Sequence, residues 1–267
     1  MKILVPTDFS DNANNALEFA KKIAHEEKSI ITLFFAFYAV YDFASQATEI
    51  IGQIEQDAKR ELKKAVEQGR KEGLNFDYRI VQGSVATAVT TIAYRDDYDL
   101  IVMGTQGASG IKKALIGSNT GHVVKESKVP VLAIPFGSEW SRENKISVAL
   151  ELHKEDEKYF KKLFKLTQHM KLPYEFFHIK SETNFEKEIE FKGLEVYLKE
   201  KNPDLEIKFT LIDSSDVSKG FSHYLDNNPN TMLVMFHKNK SFFEYLFNKS
   251  TSVEMAFHTH VPLLVIN

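Results

Sequence analysis

Residues 99–120 read DLIVMGTQGASGIKKALIGSNT, and the reading of that stretch decides the fold. Leu100, Ile101, Val102 and Met103 form a short unbroken apolar run, as expected of a parallel strand buried on both faces. Gly104, Gly107 and Gly110 break the run with residues that accept positive φ and admit a close neighbour. Gly117 follows, then Ser118, Asn119 and Thr120, three residues suited to a helix N-cap, and His122 to Lys128 can carry the helix onward. A strand, a glycine-rich loop and hydroxyls at a helix start leave unpaired N–H groups at the positive end of a helix dipole, which suits a phosphate. A plain strand-to-helix turn holding no anion is the competing reading, since glycine-rich turns are common in α/β proteins.

Two familiar phosphate motifs, GxxxxGK[ST] and GxGxxG, are absent from the chain. The fuller pattern Gly104-x2-Gly107-x9-Gly117-Ser118 instead resembles the nucleotide-binding signature of the universal stress protein family. Val5-Pro6-Thr7-Asp8-Phe9-Ser10 and Val129-Pro130-Val131-Leu132-Ala133-Ile134-Pro135 are similar to that family's first and last strands, in the right order and spacing. The resemblance covers the whole first half of the chain and the second half in outline.

Composition sets the outer bounds. A chain of 267 residues suggests one large or two small domains, and 43% hydrophobic residues, with 21 Phe, are enough for real cores. A net charge of −3 gives no electrostatic case for a nucleic-acid partner. The absence of cysteine excludes disulfides, thiolate zinc sites and a cysteine nucleophile, and fits a reducing compartment. Lys2-Ile3-Leu4-Val5 runs straight into Pro6 without a signal-peptide core, and no apolar run approaches a bilayer span. The expectation is a cytoplasmic protein with no membrane partner.

Strand and helix signals alternate along the first half. Ile3–Val5 reads as a strand, and Ser10 or Asp11 can cap a helix whose Ala13, Ala16, Leu17, Phe19, Ala20 and Ile23 share one face. Ser29–Ala39 reads as a second strand, Glu49–Glu72 as a long charged helix, Phe76–Val81 as a third strand and Val85–Tyr94 as a helix. Asp99–Met103 and Val129–Ile134 are the fourth and fifth strands. This alternation predicts an α/β fold with a parallel sheet covered on both faces.

The second half repeats the pattern. Val234-Met235 lies 132 residues after Val102-Met103, and Val261–Val265 lies 132 residues after Val129–Ala133. Ile146–Leu150 likewise matches Ile3–Thr7. The chain therefore divides into a first domain at 1–138, a polar linker at 139–144 and a second domain at 145–267. The resemblance implies two tandem doubly wound five-stranded sheets, each in the order 3-2-1-4-5, a Rossmann-like or flavodoxin-like arrangement.

Superposing the halves shows where they part. Gly104 becomes Phe236, Gly107 becomes Asn239, Gly110 becomes Phe242 and Gly117 becomes Lys249, while Ser118 keeps its hydroxyl as Ser250, followed by Thr251. Pro6 becomes Ala149 and Asp8 becomes Glu151. Phenylalanines stand where a phosphate needs bare backbone, so the second domain is expected to be degenerate. Lys249 is either a weak anion contact or a solvated lysine.

In the first domain, ligands should sit at the carboxyl ends of strands one and four, where the strand order reverses. Pro6, Thr7, Asp8, Met103 and Gly104 line that place. The resemblance implies that Asp8 and the backbone near Ala36 meet base and ribose, with Gly107, Gly117, Ser118, Asn119 and Thr120 at the phosphates. It further implies ATP or another adenine nucleotide as ligand, alone or with magnesium. Asn119 replaces a small apolar residue common in the family. Capping of the first helix is the alternative role for Asp8.

Other candidates carry less. His258 and His260 lack a third metal ligand. Asp96, Asp97 and Asp99 read as a solvated loop, with approach to a cation as the lesser alternative. Lys154–Lys165 reads as an ordinary amphipathic helix, and Lys112 and Lys113 either screen a triphosphate or coat the loop. The apolar segments Val129–Pro135 and Val261–Ile266 would be hazardous as exposed edges, so they are expected to pair within one chain, and a homodimer is a further option. The resulting expectation is a nucleotide-responsive stress-adaptation protein without catalytic residues. The alternatives are slow ATP hydrolysis and a scaffold that binds no nucleotide.

Overall fold

The computed structural model describes residues 1–24, 29–38, 44–105, 117–140, 145–152, 157–180, 185–237 and 261–267. Within it, Met1–Gly137 and Ser138–Asn267 are two units. The first contains β1 (Lys2–Pro6), α1 (Asp11–Ile23), β2 (Ile30–Phe37), α2 (Ala44–Lys71), β3 (Asn75–Gln82), α3 (Val85–Arg95), β4 (Leu100–Gly104), α4 (Ser118–Glu126) and β5 (Val131–Ile134). Every pairing is parallel: β3 with β2, β2 with β1, β1 with β4 and β4 with β5. Ile3, Leu4 and Val5 of the central strand are fully buried, which explains their unbroken apolar sequence.

Local chemistry sets the element boundaries. Ser10 caps α1 by accepting a hydrogen bond from the Ala13 N–H at 3.2 Å, so Ser10 and not Asp11 or Asp8 holds that position. Ala13, Ala16, Phe19, Ala20 and Ile23 are its buried face, as the spacing predicts. The helix α2 begins at Ala44, five residues ahead of the predicted Glu49, and buries Ala58, Leu62 and Val66. Its Gly69 lies over Phe76 of β3 so closely that a Cβ would sit 2.4 Å from the ring.

The acidic run near β4 is tied to side chains of its own unit. Asp96 pairs with Arg79 and, at 2.7 Å, with Arg95. The hydrogen bonds from Arg95 and Arg79 hold its carboxyl well below the usual carboxylate range. Asp99 accepts the Lys2 backbone N–H at 2.9 Å, and the Lys2 ammonium donates to the Asp96 carbonyl at 2.5 Å. These contacts join the amino ends of β1 and β4 to the middle of β3.

The second unit contains β6 (Lys145–Ala149), α5 (Glu157–Thr167), β7 (Tyr174–Lys180), α6 (Phe185–Lys201), β8 (Ile207–Asp213), α7 (Val217–Asp226), β9 (Thr231–Phe236) and β10 (Leu263–Ile266). β6 pairs with β7 and β9, β7 with β8 and β9 with β10, all parallel, which is the strand order of the first unit. The register runs in step as well. Ile3 faces Ile31 and Leu100, while Ile146 faces Tyr174 and Met232. No helix among the described residues is long and apolar enough to cross a membrane.

At the amino ends of β6–β9 lies a buried polar network. The Glu175 carboxylate accepts hydrogen bonds from Lys145, Thr210 at 2.7 Å and Tyr224 at 3.1 Å, and pairs with Lys208 at 3.1 Å. Thr231 donates to Ser147 at 2.7 Å, and Ser147 shares a hydrogen bond with Tyr224 at 2.8 Å. Burial alone would raise the Glu175 pKa, but hydrogen bonds from Lys145, Thr210 and Lys208 outweigh it and bring it down to about 2.

A folded-state pKa below the ordinary 4.5 contributes stability that is present above that value and is lost as pH falls towards about 2. Glu175→Gln should therefore cost about 3 kcal/mol at neutral pH, because it removes the charge that pairs the partly buried Lys145. Urea unfolding of both proteins should show the gap narrowing by about pH 3. A gap that stays constant with pH would show that the charge is irrelevant.

Candidate functional site

The strand β1 has β2 on one side and β4 on the other, so the connections leaving their carboxyl ends diverge and open a cleft. The cleft encloses about 180 Å³ and is lined by Pro6, Thr7 and Asp8 after β1, Met103 and Gly104 of β4, and Gly117, Ser118, Asn119 and Thr120 at the start of α4. Ala36 and Phe34 of β2, Val85 of α3 and Ala13 of α1 complete it. Its volume is below the roughly 300–1,000 Å³ of pockets that engulf a drug-sized molecule, so the described walls enclose a small group or one part of a larger molecule.

The turn after β1 is fixed by its own backbone. The Thr7 N–H donates to the Phe34 carbonyl at 2.9 Å and keeps β1 paired to its end. The Thr7 hydroxyl accepts from the Phe9 N–H at 3.0 Å, and the Asp8 carboxylate accepts from the Ser10 N–H at 3.1 Å. Phe9 takes a left-handed conformation with φ of 64°, strain that a non-glycine residue tolerates only when its surroundings fix it. Its ring stacks on Phe35 at 5.2 Å, which anchors the turn.

On the other wall, two hydrogen bonds fasten the chain where it leaves β4 and where it returns. The Gly117 N–H donates to the Thr105 carbonyl at 2.5 Å, and the Thr120 hydroxyl donates to the Gly104 carbonyl at 2.8 Å. Gly107 and Gly110 of the motif, with Lys112 and Lys113, lie outside the described residues. Ser118 to Thr120 form the first turn of α4, and the N-cap is Gly117, whose backbone carbonyl accepts the first helical bond from Gly121 at 2.9 Å. By residue type Ser118, Asn119 and Thr120 all suit a cap. They stand one place further in, where N–H groups have no acceptor within the helix. Among the described residues no side chain caps this helix end, in contrast to Ser10 on α1 and Asp216 on α7.

Gly104 is required for steric reasons. A Cβ there would lie 2.5 Å from the Asn12 amide nitrogen and 3.0 Å from the Asn12 carbonyl, beneath the cleft floor. Ala13, Phe34 and Val85 join the lining without being marked by the sequence. Their types read as core, and the one available signal is that Phe34 shares a strand face with Ala36.

The second unit keeps the frame of this site and changes the residues at its strand ends. The Leu150 N–H donates to the Phe177 carbonyl at 2.9 Å as Thr7 does to Phe34, and Leu152 has φ of 59° where Phe9 has 64°. The His237 N–H donates to Ile266 as Thr105 does to Ile134, both at 2.9 Å. Yet Phe236, in the register of Gly104, is fully buried, stacked on Tyr159 at 5.1 Å and edge-on to Phe160 at 5.4 Å. Buried Ile179 stands at the Ala36 place and Glu151 at the Asp8 place. Asn239, Phe242, Lys249, Ser250, Thr251, His258 and His260 lie outside the described residues.

Comparison with known proteins places these features in context. Residues 1–135 match the model of the universal stress protein family. Universal stress protein MJ0531 of Methanocaldococcus jannaschii is 29% identical over 143 residues, covering 50% of this chain and 81% of that protein. Universal stress protein MJ0577 of the same organism is 30% identical over 151 residues, covering 50% of this chain and 93% of that protein. The crystal structure of a universal stress protein from Archaeoglobus fulgidus superposes with a TM-score of 0.73 at 20% identity, covering 100% of this chain and 96% of that one. That likeness extends the shared fold across both units.

Packing at Gly104 yields a direct test. Gly104→Ala should cost about 1–3 kcal/mol through overpacking. In an Asn12→Ala background the penalty should shrink but persist, because the Asn12 carbonyl stays 3.0 Å from the new methyl. Equal penalties in both backgrounds, measured by urea unfolding, would show that Asn12 does not limit the space.

Proposed function

Because the chain belongs to the universal stress protein family, we propose that its first unit binds ATP or a related adenine nucleotide. The protein would act as a nucleotide-responsive stress-adaptation protein whose conformational population shifts on binding. One observation carries the reading. An uncapped helix start opens onto a cleft whose other end is apolar, so phosphate and base each have a matching end.

The roles follow from the chemistry of the lining. Ser118 and Asn119, with the N–H groups of the first turn of α4, face the phosphates. Thr120 directs its hydroxyl hydrogen at Gly104, and Gly117 its N–H at Thr105, so both shape the phosphate end more than they donate to it. Asp8, exposed at the end of β1, is placed to accept ribose hydroxyls, while Pro6, Thr7 and Met103 form the floor beside Gly104. Ala36, Phe34 and Val85 offer the flat apolar wall that a base needs. Gly107 joins the phosphate contacts in this proposal on the strength of the motif.

Magnesium accompanying a triphosphate would be held by phosphate oxygens and water, since no three acidic or imidazole groups cluster among the described residues. The described lining also holds no lysine, arginine or histidine to stabilise transferred charge, so any hydrolysis should be slow. The loss of the strand-end and loop glycines, with Phe236 at the Gly104 place, supports the reading that the second unit takes no nucleotide there.

Mass spectrometry of ligand released from gently purified protein, with titration calorimetry, tests this. One adenine nucleotide per chain is expected, and Gly117→Phe should weaken binding at least about a hundredfold by filling the cleft. Protein that is empty and ignores added ATP would refute the reading. Two equivalents per chain would refute the assignment of the second unit.

A further inference from the structure

Tyr38 belongs to no part of the site described so far, yet it is 72% exposed immediately after β2. Its place follows from the pleat. Phe34 and Ala36 both line the cleft, and successive residues of a strand alternate faces. The Gly83 N–H donates to the Phe37 carbonyl at 2.8 Å, so the β2–β3 ladder holds through the last residue of β2. The pleat therefore carries Tyr38 to the cleft side, one step outward from Ala36, next to the connection from Gly83 to Val85.

That is the apolar end of the cleft. The enclosed volume would leave part of a nucleotide outside, and among the described lining residues the base end has walls from Ala36, Phe34 and Val85. We propose that Tyr38 is a specificity residue of this site, its ring stacking on the outer face of a bound purine. The inference rests on the nucleotide reading above and adds to it the group that selects the base. A purine presents more stacking surface than a pyrimidine, so an aromatic cover favours a purine such as adenine over a pyrimidine without a base-edge hydrogen bond. The second unit supplies an internal contrast. Counting in the same register, its position after β7 is Ser181, outside the described residues, in the unit where the cleft is filled.

The test uses the full chain and ATP. Tyr38→Ala should weaken ATP binding about tenfold by calorimetry, as expected for loss of one stacking partner. Tyr38→Trp should retain affinity and report contact directly. With Trp140 the single native tryptophan, the added fluorescence of Tyr38→Trp over the wild type should be quenched by saturating ATP. Unchanged affinity in Tyr38→Ala, or no quenching in a Tyr38→Trp protein that binds ATP, would overturn the inference while leaving the site in place. Wild-type protein that does not bind ATP would instead overturn the function proposed for the unit.

Discussion

The structure of the first unit depends on how closely the end of β4 packs against the start of α1. Gly104 leaves no room for a Cβ because Asn12 lies directly behind it. That contact keeps the floor of the cleft thin and lets the carbonyl of Gly104 reach the Thr120 hydroxyl. With the Thr105–Gly117 hydrogen bond, it fixes where α4 begins and which way its first turn faces. A binding surface made of backbone N–H groups has no side-chain rotamers to order, so its precision is the precision of those few packing contacts.

The second unit shows what remains when that constraint is removed. Its strands keep the same order, the same end-of-strand hydrogen bond and the same left-handed residue in the first turn. The fold therefore does not require the glycine at the end of the fourth strand. With Phe236 there, the space becomes aromatic core shared with Tyr159 and Phe160. Frame and site are separable, and residue choice at one strand end decides how closely the first helix of the unit packs behind it.

Much of this is legible in the sequence because the decisive residues are unusual for their surroundings. Glycines after an apolar run, and phenylalanines in their register 132 residues later, are enough to mark one strand end as open and the other as filled. Less legible are features that depend on which of several similar residues wins. Ser10, Asp11 and Asp8 could each cap a helix, and only the backbone path selects Ser10. Ser118 has the chemistry of a cap, but Gly117 takes that place because its N–H is drawn to Thr105. Phe34 and Val85 face a cleft with side chains that pattern alone assigns to a core, and the Glu175 network joins residues that are distant in sequence.

The two units also differ in where their stability comes from. A cleft with N–H groups at one end and apolar walls at the other leaves both poorly satisfied in water, at a cost that a packed interior avoids. The second unit has replaced that cost with buried aromatic contacts and a fully paired carboxylate. The proposed ligand would restore the balance in the first unit. A nucleotide present at 1,000 times its Kd would add about 4 kcal/mol, comparable to a large share of a domain's net stability. Under the proposed function the stability of the first unit would follow nucleotide concentration, while that of the second would not. On the proposed function, a chain with this division would respond to nucleotide through one half and keep the other constant, which is the physical requirement for a sensor built on a repeated fold.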